Sequence, residues 1–402
     1  MSHRVSQRES EVWGHEILAL FIDRRLLRGS LPWVVAIFAA LNILVFYWQG
    51  SIAEERRKNI LVSHDRAPAS GARWDMSAGG DLGRYWLSIP DARSRPLVIL
   101  AGMSQMYAIN DARPQDETIS EHMDDALSPR GIRVFGMAAP NLCNEEVVLL
   151  LLSTMSDPRT RPDVFIYGVC FDKFRNLDLR PEYQAFLKDR PALRSLWNDT
   201  AKEYVGRYPK AGKKMTKSLS EVEEVEEGKD REQDTVEALL RGFASRWLPI
   251  VSARNDLNAN VQLQLFLLRN WLLDIKPTSK RPIIEGRYQM NREFLGMMAD
   301  IARRGGVKLI LYVIPLNPLA ENPYIPSQYA DFKEWLERFC RERDVPFANL
   351  ENAVPSEAWG EFMGGPDFKH FRGEGHRLTA AALLERFSPE IHRSSREMTH
   401  SR

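Results

Sequence analysis

Cysteine is scarce in this chain of 402 residues: Cys143, Cys170 and Cys340 are the whole set. Three thiols at those spacings make neither a disulfide framework nor a zinc-ligand pattern. Cys143 and Cys170 would pair only if their segments lay side by side; three small buried hydrophobes is the simpler reading. A surplus of charge is missing as well. The 55 Lys and Arg offset 54 Asp and Glu, for a net charge of +1, which leaves no electrostatic footprint for nucleic acid. No metal and no cofactor is expected. The length allows one large domain with insertions or two smaller ones.

Charge is also absent over one long stretch, Leu31 to Trp48, where Asn42 is the one strongly polar residue. That run matches the ~17–25 residues that cross a hydrocarbon core. Trp33 at one end, and Tyr47 with Trp48 at the other, fit the aromatic belts of the two interfaces. A signal peptide would start earlier, and no small-x-small site follows at Gln49–Glu54. A buried soluble helix would carry a polar stripe. The expectation is a single retained membrane anchor over 31–49, behind a polar segment over 1–30. Arg4, Arg8, Arg24, Arg25 and Arg28 precede the run, while Arg56, Arg57 and Lys58 are partly offset by Glu54 and Glu55. The positive-inside rule therefore favours a cytoplasmic N-terminus and a periplasmic or extracellular C-terminal domain.

Residues 50–92 read as a stalk, part of which (Trp74, Tyr85, Trp86) packs on the domain edge. From there strands and helices alternate. Short apolar runs at Leu97–Ala101, Ile132–Gly136, Val164–Gly168 and Val307–Ile314 suit strands buried on both faces, with Val345–Leu350 as a fifth. Helices are expected at Thr118–Leu127, Val147–Met155, Tyr329–Glu342 and Leu378–Phe387. This order predicts an α/β fold with a parallel sheet flanked by helices, over 93–390 with a tail at 391–402. Residues about 178–300 interrupt the pattern as a helical and charged insertion. Its Lys210–Asp234 part, with Glu221-Val222-Glu223-Glu224-Val225-Glu226-Glu227, reads as a solvated helix or disordered segment. The apolar stretch Val261–Leu273 reads as a cap on the core.

In such a sheet, ligands gather beyond the carboxyl ends of the strands. Ser104 follows the first strand in Gly102-Met103-Ser104, and Asp367-Phe368-Lys369-His370 lies near the C-terminus. Together they offer a nucleophile, a base and a carboxylate to orient the base. Ser104 alone also suits a helix N-cap; Asp367 and His370 tip the reading towards a nucleophile. His376 is a rival base, but in Gly375-His376 it better suits the start of the last helix. Asn141, Asp172 and Asn317 also follow strand ends. They are substrate-side candidates, although each is a common turn-former. Arg175 reads as solvated.

These blocks, from about Pro96 to Phe387, resemble the GDSL/SGNH hydrolase superfamily, whose nucleophile sits in a Gly-x-Ser-like block and whose base closes an Asp-x-x-His block. The resemblance implies a flavodoxin-like three-layer fold and a catalytic Ser104–His370–Asp367 set. It also implies a glycine N–H in the oxyanion hole, for which Gly136 is the nearest match. The family's third block, Gly-x-Asn-Asp, is not kept: Gly168-Val169-Cys170-Phe171-Asp172 has no asparagine, and an ionised Asp172 would repel an oxyanion. Asn141 and Asn144 are the available substitutes. A tethered chain with Pro315-Leu316-Asn317-Pro318 after a late strand is similar to cell-envelope acyl-transfer proteins, among them the D-alanyl-lipoteichoic acid transfer protein and the alginate O-acetylation proteins. That implies an esterase or O-acyltransferase acting on an acylated glycan or acyl carrier, beside a membrane-bound O-acyltransferase. The alternative is an inactive accessory protein that binds one of these.

The anchor has a direct check. The full chain is expected in the membrane fraction, released by detergent and not by high salt; recovery of intact chain in the salt wash would remove it.

Overall fold

The first apolar run forms a strand because its six residues, Leu97–Gly102, have no polar side chain to solvate and are all buried. It is β2. Strand β4 (Val164–Val169) is likewise buried throughout; β3 (Arg133–Ala138) and β5 (Lys308–Val313) are buried after a half-buried first residue; β6 (Phe347–Asn349) and a short β1 (Arg73–Asp75) form the edges. The computed structural model describes residues 73–75, 89, 94–113, 115–227, 279–362 and 365–401. All of them fall in one compact unit, Ile60–Gly228 with Lys276–Arg402.

The sheet runs β1-β3-β2-β4-β5-β6, and every pair is parallel. Without the edge strand this is the flavodoxin-like order, which reverses direction at β2. Right-handed crossovers then put α1 (Ile119–Leu127) on one face, and α2 (Asn144–Ser156) and α6 (Glu285–Arg304) on the other. The closing helix α8 (Gly373–Ser401) packs with α1, and α2 packs with α6. Helix α7 (Pro326–Glu342) begins with proline at its first position and buries Tyr329, Phe332, Trp335, Leu336 and Phe339 along one stripe.

Within the segment read as a stalk that partly packs on the domain edge, Arg73–Asp75 pairs with Gly136–Ala138 as an edge strand. Two expectations change. The interruption is shorter than 178–300, because α6 is the crossover helix between β4 and β5, with Phe294, Leu295, Met297 and Met298 fully buried. Helices α3 (Pro181–Lys188), α4 (Pro191–Tyr204) and α5 (Pro209–Glu227) thicken the α2/α6 layer. The first part of the charge-rich stretch is therefore packed: Ala211, Met215 and Ser218 of α5 have no exposure. Ser218 donates to the buried Glu145 of α2 at 2.7 Å. Burial raises that carboxyl to about 7, against the opposing pull of Lys214 and Ser218. Among the described residues no helix is long and apolar enough to cross a membrane. The proposed anchor at 31–49 and the capping stretch Val261–Leu273 lie outside the described residues. All three cysteines are free and buried.

The amino ends of the central strands are tied by Asp163. Its Oδ2 accepts the Leu97 N–H at 2.8 Å, and its own carbonyl accepts the Lys308 N–H at 2.9 Å. Asp163→Ala strands a buried N–H, so it should cost about 1–3 kcal/mol. Urea denaturation of the soluble domain would read this as a lower midpoint at unchanged slope; an unchanged midpoint would mean water replaces the carboxylate.

Candidate active site

Strand β2 ends at Gly102, and the chain turns at once into a 3-10 turn, Ser104–Met106. The turn is tight: a Cβ on Gly102 would lie 2.5 Å from Met106 Cγ, so a larger residue would force the Met106 side chain to move. The tight fold-back leaves Ser104 at the carboxyl edge of the sheet. Gln105 behind it is fully buried. Its Nε2 donates to Pro315 O and to Lys369 O, each at 2.8 Å. One amide thus joins the ends of β2 and β5 to the C-terminal segment that carries His370.

That segment is a strand. Gly365–Phe371 (β8) pairs antiparallel with Trp359–Phe362 (β7). Ser104 Oγ lies 2.8 Å from His370 Nε2. His370 Nδ1 lies 3.0 and 3.1 Å from the two Asp367 oxygens. An ionised carboxylate can only accept, so Nδ1 carries the proton and Nε2 is left to accept from the serine hydroxyl. Burial alone would raise the Asp367 carboxyl. The hydrogen bond and charge of His370, with the Lys369 and His370 N–H groups, outweigh it and hold the carboxyl below its ordinary value. The carboxylate is also fixed from outside. Asn110 Nδ2 donates to Asp367 Oδ2 at 3.2 Å, and Asn317 Nδ2 donates to the Asp367 carbonyl at 2.8 Å.

The other candidates are distributed unevenly. Gly136 does not reach the site. It lies inside the ladder of β3, opposite Leu100 and Arg73, two residues before the strand ends. Asn317 faces the Asp367–Phe368 backbone, so it holds the strand that carries His370. Asn144 is fully buried inside the core, donating to Asn291 and accepting from Tyr167. Asp172 Oδ2 lies 2.6 Å from Arg281 Nη1 and 3.5 Å from Lys369 Nζ. Burial raises its carboxyl, but these two cations win and hold it low. Asn141 keeps its position beyond β3, in a left-handed conformation (φ 54°), where its Oδ1 accepts from Lys173 Nζ at 3.0 Å. The backbone carbonyl of Arg175 accepts from Arg287. His376 is fully buried against Phe371, and its Nε2 lies 3.2 Å from the Ala108 carbonyl.

Sequence reasoning missed Gln105, Asn110, Lys173, Lys369 and Arg281. Only Gln105 and Lys369 carried a signal, as neighbours of Ser104 and His370. Among the described residues no group of His, Cys, Asp and Glu is arranged to hold a metal.

No family model matches the chain, and no curated protein matches it. Among solved structures it is similar to a proposed acylhydrolase from Bacteroides fragilis, with 10% identity, a TM-score of 0.34, and coverage of 77% of this chain and 95% of that one. It is also similar to a GDSL-like lipase from Bacteroides thetaiotaomicron, with 9% identity, a TM-score of 0.36, and coverage of 78% and 98%. Likeness at this level carries no weight for function, which rests on the chain's own geometry.

If Asp367 orients His370, Asp367→Asn should slow chemistry at Ser104 by on the order of 10⁴, as carboxylate removal does in Ser-His-Asp sites generally. The rate of covalent labelling by a fluorophosphonate measures this, and a loss of less than tenfold would deny Asp367 that role.

Proposed function

We propose that the chain is a serine-dependent ester hydrolase or O-acyltransferase, with Ser104 as nucleophile, His370 as general base and Asp367 as its orienting carboxylate. The observation that carries this is the continuous hydrogen-bond chain from Ser104 Oγ through the His370 ring to Asp367. Ser104 attacks an ester carbonyl as its proton passes to His370 Nε2. The base then returns the proton to the leaving alcohol, and water or a sugar hydroxyl takes the acyl group. The site lies beyond the carboxyl end of β2, where the strand order reverses, the position at which open α/β sheets bind ligands.

The finer reading adds place and substrate. The uncharged run at 31–49 supports a tether with the domain outside the cytoplasm. The resemblance to envelope acyl-transfer proteins supports an O-acylated glycan or acyl carrier as substrate and a membrane-bound O-acyltransferase as partner. A second reading, an accessory protein that binds without turnover, is favoured by one observation: the third-block asparagine is absent and Asn144 is occupied inside the core.

Ser104→Ala should abolish both p-nitrophenyl acetate turnover and fluorophosphonate labelling, and His370→Ala should cut both by at least about 10³-fold. Wild-type turnover in the Ser104→Ala variant would sink the nucleophile; a folded wild-type chain that neither turns over nor labels would favour the accessory reading.

A further inference from the structure

The missing third-block asparagine leaves the proposed reaction short of a donor for the oxyanion, and the turn after β4 carries a buried lysine instead. After β4 the chain makes a 3-10 turn, Phe171–Arg175. Phe171 and Phe174 on one side of it are clamped in an aromatic cluster: Phe171 lies 4.9 Å from Tyr324, and Phe174 lies 5.0 Å from Phe332. Asp172 and Lys173, between the clamped rings, are held with them. Lys173 is 1% exposed, and its Nζ donates to Asn141 Oδ1 at 3.0 Å.

The strand order gives that bond its meaning. β2 lies between β3 and β4, Asn141 follows β3, and Lys173 follows β4. A hydrogen bond joining those two loops spans the carboxyl end of β2, the end from which Ser104 projects. Asn141 is itself braced, since Arg180 Nη1 donates to the Pro140 carbonyl at 3.0 Å while its other nitrogens grip Glu146. Asp172 does not neutralise Lys173 alone, because its carboxylate is shared with Arg281 and Lys369. Three cations thus surround one carboxylate, and one of them, Lys369, directly precedes His370 in β8. The groups facing Lys173 are Asn141 from the β3 loop, Cys143 at the start of α2, Cys170 at the end of β4, Asp172 on its own turn and Lys369 from β8.

We propose that the Lys173 ammonium, aligned by Asn141, is the cation that meets the oxyanion of the tetrahedral intermediate on Ser104. This rests on the nucleophile reading above. The Ser104 Oγ bond to the carbonyl carbon forms as the hydroxyl proton moves to His370 Nε2. The carbonyl π pair moves onto oxygen, beside Lys173 Nζ. When the carbonyl re-forms, the ester C–O bond breaks and the proton on His370 goes to the departing alcohol. No electrons are gained or lost. A cation held in place before the reaction is the kind of preorganised group that stabilises such charge most.

Burial, and then the charge of Lys369, lower the Lys173 ammonium to about 8. It is charged below that pH and loses its proton as pH rises through it, so oxyanion stabilisation is lost on the alkaline side. Fluorophosphonate labelling of the full chain in detergent, followed between about pH 6 and about pH 10, tests this by its pH–rate profile. The wild-type rate should fall above about 8. Lys173→Met should label at least about 10²-fold more slowly, with no alkaline fall; Lys173→Gln, which keeps an amide donor and similar length, serves if methionine disturbs folding. A wild-type profile that stays flat to the alkaline limit overturns the proposal. So does wild-type labelling by the Lys173 variants while Ser104→Ala stays unlabelled, which would leave the nucleophile standing and Lys173 structural. A wild-type chain that does not label at all overturns both.

Discussion

The bond from Ser104 Oγ to His370 Nε2 closes a separation of 266 residues, and the site exists only as long as both ends are held still. Each end is fastened by amides before it is used. Gln105, next to the serine, reaches forward to the Pro315 and Lys369 carbonyls. Asn110 and Asn317 reach the Asp367 carboxylate and carbonyl from two other segments. These are buried bonds between neutral donors and backbone or carboxylate acceptors, so little entropy is left to lose when substrate arrives. The cost of ordering the groups is met during folding.

Electrostatics divides the carboxylates near the site by what each one touches. Asp367 is buried yet ionised because an imidazole and two backbone N–H groups face it. Asp172 is buried and ionised because Arg281 and Lys369 face it. The first polarises a base. The second is bound up between two cations, Arg281 and Lys369.

The helical layer that carries α3 to α5 extends this scaffold. The Glu146–Arg180 pair joins the start of α2 to the start of α3, and the same arginine holds the Pro140 carbonyl beneath Asn141. What reads in sequence as an interruption of the fold is thus part of the support under the rim of the site.

Much of this was legible from the chain alone. Runs such as Leu97–Gly102 and Val164–Val169 can only be strands covered on both faces, and their spacing with amphipathic segments dictates a parallel α/β sheet. Ser104, Asp367 and His370 were legible because their residue types, order and placement after apolar runs are local properties. The Asp-x-x-His hairpin was not, because strand pairing between β7 and β8 is a relation between segments. Gly136 misled because a glycine in a strand looks the same whether it faces a ladder or a ligand, and only register puts it opposite Leu100. Lys173 was invisible for the same reason. A lysine in a turn reads as solvated until aromatic packing buries it and the β3-β2-β4 order brings it to Asn141 across the end of β2. Composition and periodicity determined the layers and the reactive residue types; burial and strand order, which depend on contacts far apart in the chain, decided which charges meet.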